Sequence, residues 1–83
     1  MYLDYYTFRK TAYIVITEMN FTVDDFFIYD QNRDRDFIRL VNAKFSSEKR
    51  RSYKNKDFNR FERELNHCIN TFFAELRKKR ILA

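Results

Sequence analysis

The chain contains no glycine and no proline in 83 residues. Without glycine, the two-residue turns that favour β-hairpins are disfavoured. Helices must then end on Asn, Ser or Asp rather than on glycine caps. The same absence excludes Gly-rich phosphate loops, dinucleotide-binding fingerprints, collagen-like repeats and Gly/Ser linkers. Ten Phe and six Tyr are too many for a disordered tail. The expectation is a single all-α domain over residues 1–83, a small three- or four-helix bundle. A chain of this size buries only about 60% of the surface its unfolded form exposes, so its stability is marginal.

Periodicity locates the elements. Phe58, Phe61, Leu65, Ile69, Phe72 and Leu76 advance by a mean of 3.6 residues, the α-helical period. Cys68 and Phe73 widen this stripe. The pattern predicts a long amphipathic C-terminal helix from about Lys56, capped by Asn55, to the cations near Arg77 that suit a helix C-terminus. Its core face is Phe61, Leu65, Ile69 and Phe72, with His67 outside. The N-terminal segment places Tyr5, Phe8, Ala12, Val15 and Met19 on one helical face, with Leu3 and Ile14 opposite. A helix apolar on two sides needs a second surface to cover it, and a homodimer through this segment is the expected solution. The β-branched stretch over residues 13–17 keeps a strand open as the competing reading. Thr22 and Asp25 form a capping pair that opens a short helix carrying Val23, Phe26, Phe27 and Tyr29. Residues 30–34 read as a turn. A third helix presents Phe37, Leu40, Val41 and Phe45 and ends at Ser46-Ser47. Residues 48–55 are too polar to bury and read as an exposed basic loop or a short helix.

The charge is divided. Residues 1–43 carry five Lys/Arg against seven Asp/Glu, and residues 44–83 carry twelve against five, so a half of −2 joins a half of +7. Lys49, Arg50, Arg51, Lys54 and Lys56 form one basic block, extended by Lys44 and Arg60. Arg77, Lys78, Lys79 and Arg80 form another. Cations this close repel, and a polyanion such as DNA or RNA, gaining from counterion release, would offset them. A solubilising face, or an acidic protein or lipid partner, is the competing explanation. Arg35, Arg39, Asn42 and Ser46 share the face of the third helix opposite Phe37. Arg and Asn are the side chains that read guanine and adenine in a major groove, and a short helix and turn before them have the outline of a helix-turn-helix. The turn lacks the glycine such motifs often contain, and Phe27 is bulky where the helices would meet. Tyr53, alone among the aromatics interleaved with the basic block (Phe45, Tyr53, Phe58), lies in a setting polar enough to be a free stacking platform. The Tyr-rich N-terminus (Tyr2, Tyr5, Tyr6, Tyr13) suits packing or interface surface.

Other chemistry is poorly supplied. His67 has no Ser, Asp or Cys partner at a recognisable spacing, and adjacent Cys68 points about 100° away on a helix. Asp30, Asn32, Asp34 and Asp36 alternate as in a calcium loop. However, the sixth position is Arg35 instead of Gly and the twelfth is Val41 instead of Glu, so calcium is rejected. These carboxylates instead cap the following helix. One cysteine excludes an internal disulfide framework and Cys-based zinc sites, and a free thiol points to a reducing cytoplasmic setting. No leader is visible in the first ten residues, and the longest apolar run, residues 12–16, is far short of the ~20 needed to span a bilayer.

These observations support no enzyme, cofactor or metal. The leading expectation is a nucleic-acid-binding accessory or regulatory protein. Its contacts would be Arg35, Arg39, Asn42, Lys49, Arg50, Arg51, Tyr53, Lys54, Lys56, Arg77, Lys78, Lys79 and Arg80. The alternative is a non-catalytic protein-binding module: a small inhibitor, adaptor or immunity-type bundle.

Overall fold

The expected helical architecture is present in the computed structural model, which describes residues 3–82, with side chains through residue 79. Four α-helices follow in order: α1 (Tyr5–Glu18), α2 (Gln31–Lys44), α3 (Ser46–Lys54) and α4 (Phe58–Leu82), with a 3-10 turn (Asp24–Phe27) between α1 and α2. Helix α4 is the spine and packs against α1, α3 and the 3-10 turn. At 1.5 Å per residue its 25 residues span about 37 Å, which sets the 43 Å long axis of the molecule. It runs beyond Arg77 because the following Lys and Arg residues are good helix formers.

Helix α1 begins where the Asp4 carboxylate accepts from the Thr7 backbone N–H at 2.9 Å and from the Thr7 hydroxyl at 2.9 Å. These bonds hold the Asp4 carboxyl below its ordinary value. The Thr22 amide does the same for Asp25. Stability from both ionised caps is present above the ordinary carboxylate pKa and is lost as pH falls through the lowered values. Phe8, Ala12, Val15 and Ile16 are buried. The β-branched segment is therefore helix and the strand reading fails, because Val15 and Ile16 complete a continuous core face whose burial outweighs local propensity. Leu3 departs from expectation too. It precedes the helix instead of lying on its outer face, is buried, and donates its N–H to Glu64 Oε1 at 3.2 Å. Ile14, 54% exposed, is left outside with Tyr6 and Tyr13. The two-sided apolar helix that motivated a dimer is thus reduced to this smaller surface.

Helix α1 ends without glycine. Asn20 adopts φ 64°, its N–H donates to Thr17 O, and Phe21 N–H donates to Ile16 O; this is a Schellman closure. The expected Thr22–Asp25 pair follows, with the Thr22 N–H donating to Asp25 Oδ2 at 2.7 Å and the Asp25 N–H to Thr22 Oγ1 at 3.3 Å. It opens only a 3-10 turn, so the helix expected over residues 23–29 shrinks to four residues. The predicted turn at 30–34 is also displaced. Asp30 accepts from the Arg33 N–H at 3.1 Å and caps α2, so residues 31–34 are already helical.

Arg33 locks this junction. Only 9% exposed, it lies over Phe26, with Cζ 4.3 Å from the ring centroid. Its Nη1 donates to Asp25 O at 2.7 Å and its Nη2 to Ile28 O. A planar guanidinium can stack on a ring and bind two carbonyls at once, whereas an ammonium cannot do so with the same geometry.

Helix α2 ends at Lys44, just before the expected stop at Ser46-Ser47, where α3 begins instead. A single residue, Phe45, buried and stacked on Phe8 at 6.0 Å, separates it from α3. The segment 48–55 is accordingly a short helix, not a loop. Asn55 ends α3 instead of capping α4, and Lys56 follows at φ 61°. The Lys56 N–H donates to Tyr53 O at 3.1 Å and Asp57 N–H to Ser52 O at 2.7 Å: a second Schellman closure, with lysine where glycine is usual. Phe61, Leu65, Cys68, Ile69, Phe72 and Leu76 of α4 are buried and His67 is exposed, as the periodicity predicts.

Two stability measurements check this account. Phe61→Ala should cost about 3–5 kcal/mol, a large share of the stability of a domain this small. Arg33→Met should cost about 1.5–3 kcal/mol, the worth of a hydrogen bond to a charged group, and Arg33→Lys should not restore it. Urea denaturation midpoints read both; a wild-type midpoint for Arg33→Met would show that the junction holds without the guanidinium.

Candidate functional site

The predicted contact residues fall into three places rather than one. Arg35, Arg39 and Asn42 are exposed on α2. Arg35 Nη2 donates to Asn32 Oδ1 at 2.9 Å, and Asn42 Nδ2 donates to Ile38 O at 2.8 Å. The element ahead of α2 is a single 3-10 turn, so the first helix of a helix-turn-helix is missing at that position. Arg35 instead borders an open groove of about 350 Å³ lined by Tyr29, Gln31, Asp34, Ile38 and Phe73.

Arg77, Lys78 and Lys79 are exposed at the far end of α4; the Arg80 side chain and Tyr2 lie outside the described residues. The rise of α4 puts Arg77 about 28 Å from Phe58. This end packs against the 3-10 turn, which carries Asp24 and Asp25, and the Lys79 ammonium sits 5.0 Å from the Phe27 ring. The C-terminal cations therefore lie near the negative end of the α4 dipole.

The third place is α3 with its closing turn. Lys49, Arg50, Arg51, Lys54 and Lys56 are all exposed. Among the described residues none of the five forms an ion pair, whereas Lys44 meets Glu18 at 2.9 Å and Arg60 meets Glu64 at 3.4 Å. Arg50 reaches only the Ser47 hydroxyl, at 3.4 Å. An isolated nine-residue helix this polar would not persist in water. It is held instead by its ends and by one small contact. Phe45 anchors the start, and Ser52, fully buried, turns its hydroxyl back to Lys49 O at 2.6 Å. At the finish the Tyr53 ring stacks on Phe58 at 4.1 Å with 15° between planes.

Tyr53 is nevertheless 60% exposed. Phe58, half-buried, supports it from beneath and also lies 5.7 Å from the Lys49 ammonium. Sequence reasoning identified Tyr53 but assigned Phe58 to the core stripe. The available signal was two aromatics either side of an Asn-containing helix break, which a closing turn folds together. Phe45 belongs to the core. Lys56 holds a left-handed conformation that costs a non-glycine residue about 1–2 kcal/mol, so the turn keeps a cation where glycine would be cheaper.

His67 is exposed on α4 and Cys68 is buried beside it, and among the described residues no cluster of His, Cys, Asp and Glu could hold a metal ion. No described helix is long and apolar enough to cross a membrane. Burial, then the carboxylates of Asp4 and Glu64, push the Cys68 thiol above its usual range. No protein-family model, curated protein or solved structure matches the chain.

The thiol offers a direct check on this packing. Alkylation of Cys68 by iodoacetamide should be many-fold slower in the native protein than in urea, because the reactive thiolate is both scarce and covered. Equal rates would place Cys68 at the surface.

Proposed function

We propose that this protein binds nucleic acid through α3 and its closing turn, as a small accessory or regulatory protein. The observation that carries the reading is the set of five exposed cations, Lys49 to Lys56, without carboxylate partners on a helix that contributes only Ser52 to the buried interior. Phosphates would relieve their repulsion and release counterions. Arg77 to Arg80 form a separate basic end of α4, a second phosphate contact about 28 Å along the spine. Arg39 and Asn42 of α2 enter the reading only if that face meets base edges. Binding needs neither a catalytic group nor a cofactor.

A protein-binding module is the second reading, favoured by the groove beside Ile38 and Phe73 and by two neighbouring apolar side chains, Ile28 and Tyr29, at 73% and 68% exposure. A homodimer, if formed, would use Tyr6, Tyr13 and Ile14; sedimentation at micromolar concentration reads its mass.

Titration with duplex and single-stranded DNA and RNA across a salt series separates the two readings. Replacing Arg50 and Arg51 together by Ala should weaken binding to all sequences alike. It should also flatten the plot of log affinity against log salt by about 0.7–0.9 per lost contact. A protein-binding module instead gives no more nucleic-acid binding than an unrelated protein of equal charge, and a stoichiometric protein complex that survives raised salt.

A further inference from the structure

We infer that the ligand of the α3 face is a single strand, with one unpaired base stacked on the outer side of Tyr53. This rests on the nucleic-acid reading above and specifies its substrate class. Tyr53 is an exposed ring with a fixed orientation. Phe58 lies parallel beneath it at 4.1 Å, and Lys49 approaches the same Phe58 ring at 5.7 Å. One face of the tyrosine is therefore covered, while the residue as a whole stays 60% exposed. A ring already held in place loses little freedom when a base is laid upon it.

The surrounding charge suits a strand passing that ring. Lys49 and Lys54 share α3 with Tyr53, and Lys56 sits in the turn that brings Phe58 under it. In a duplex each base face is covered by its neighbours, and only edges are available in the grooves. The flat face of Tyr53 then has nothing to stack on. An unpaired base supplies that face whatever its identity, so the contact tolerates sequence. Tyr53 is thus a binding residue that acts through its ring, while the neighbouring cations act through charge.

The test compares the full chain with three variants by anisotropy of labelled oligothymidylate, oligouridylate and a mixed-sequence duplex of equal length. Tyr53→Ala should weaken single-strand binding about 5- to 100-fold, with Tyr53→Phe within about twofold of wild type. Duplex binding should be weaker than single-strand binding and unchanged by Tyr53→Ala. Arg50→Ala should weaken both forms. Circular dichroism and the urea midpoint establish that the Ala variant is folded. If it is not, photocrosslinking of wild type to an iodouracil-substituted strand decides the matter by whether the adduct maps to Tyr53. A duplex bound as tightly as the single strands, or a Tyr53→Ala effect that is absent or equal on both forms, overturns the single-strand inference and leaves phosphate binding intact. Binding to none of the three beyond that of an unrelated protein of equal charge removes both.

Discussion

Phe72 is the side chain around which the helices close. Its ring stacks on Phe37 of α2 at 5.3 Å and meets Phe8 and Tyr13 of α1 edge-on at 6.3 and 6.2 Å. From Phe37 the contacts pass to Phe26 of the 3-10 turn, and from Phe8 to Phe45 at the α2–α3 junction. Each such pair is worth about 0.5–1.5 kcal/mol beyond the area it buries. Rings of this size bridge helices that do not approach closely, and so a chain without glycine can still close a core. Two small residues, Ala12 and Ser52, are also fully buried.

Helix α3 lies outside this network and depends on it. None of its residues except Ser52 is buried. Its position is inherited from Phe45 at one end and from the Tyr53–Phe58 stack at the other. The basic block is consequently displayed on an element whose stability comes from elsewhere. This leaves its cations and the outer side of its one exposed ring in solvent, with Lys56 held in a left-handed turn at its edge.

The two basic clusters of the C-terminal half differ in surroundings although they look alike in composition. In the run from Arg77, Lys79 lies 5.0 Å from the Phe27 ring of the 3-10 turn, near the C-terminus of a long helix. The α3 cluster lies instead beside the Tyr53–Phe58 stack, with the Lys49 ammonium 5.7 Å from the Phe58 ring. Net charge by half-chain cannot separate these cases, because the ring under Lys79 comes from a residue about fifty positions away in sequence.

Local order is legible where one rule acts alone. The α4 stripe from Phe61 to Leu76 and the exposure of His67 follow from a period of 3.6 residues. Thr22 with Asp25 marks a cap because hydroxyl and carboxylate reach each other's amides three residues apart. Of the candidate site, the basic residues of α3 and the polar setting of Tyr53 were legible for the same reason: both are properties of adjacent residues. What needed the tertiary structure were contacts between segments. Leu3 leaves the outer face of α1 because Glu64 receives its N–H. Arg33 is buried because Phe26 and two loop carbonyls surround it. Phe58 becomes the floor under Tyr53 because a glycine-free turn folds α3 back on α4. The sequence by itself determined helical periods, caps and the charge along the chain, all set by residues within a few positions of one another. Only the tertiary structure decided which faces meet, because burial is a property of distant segments brought together.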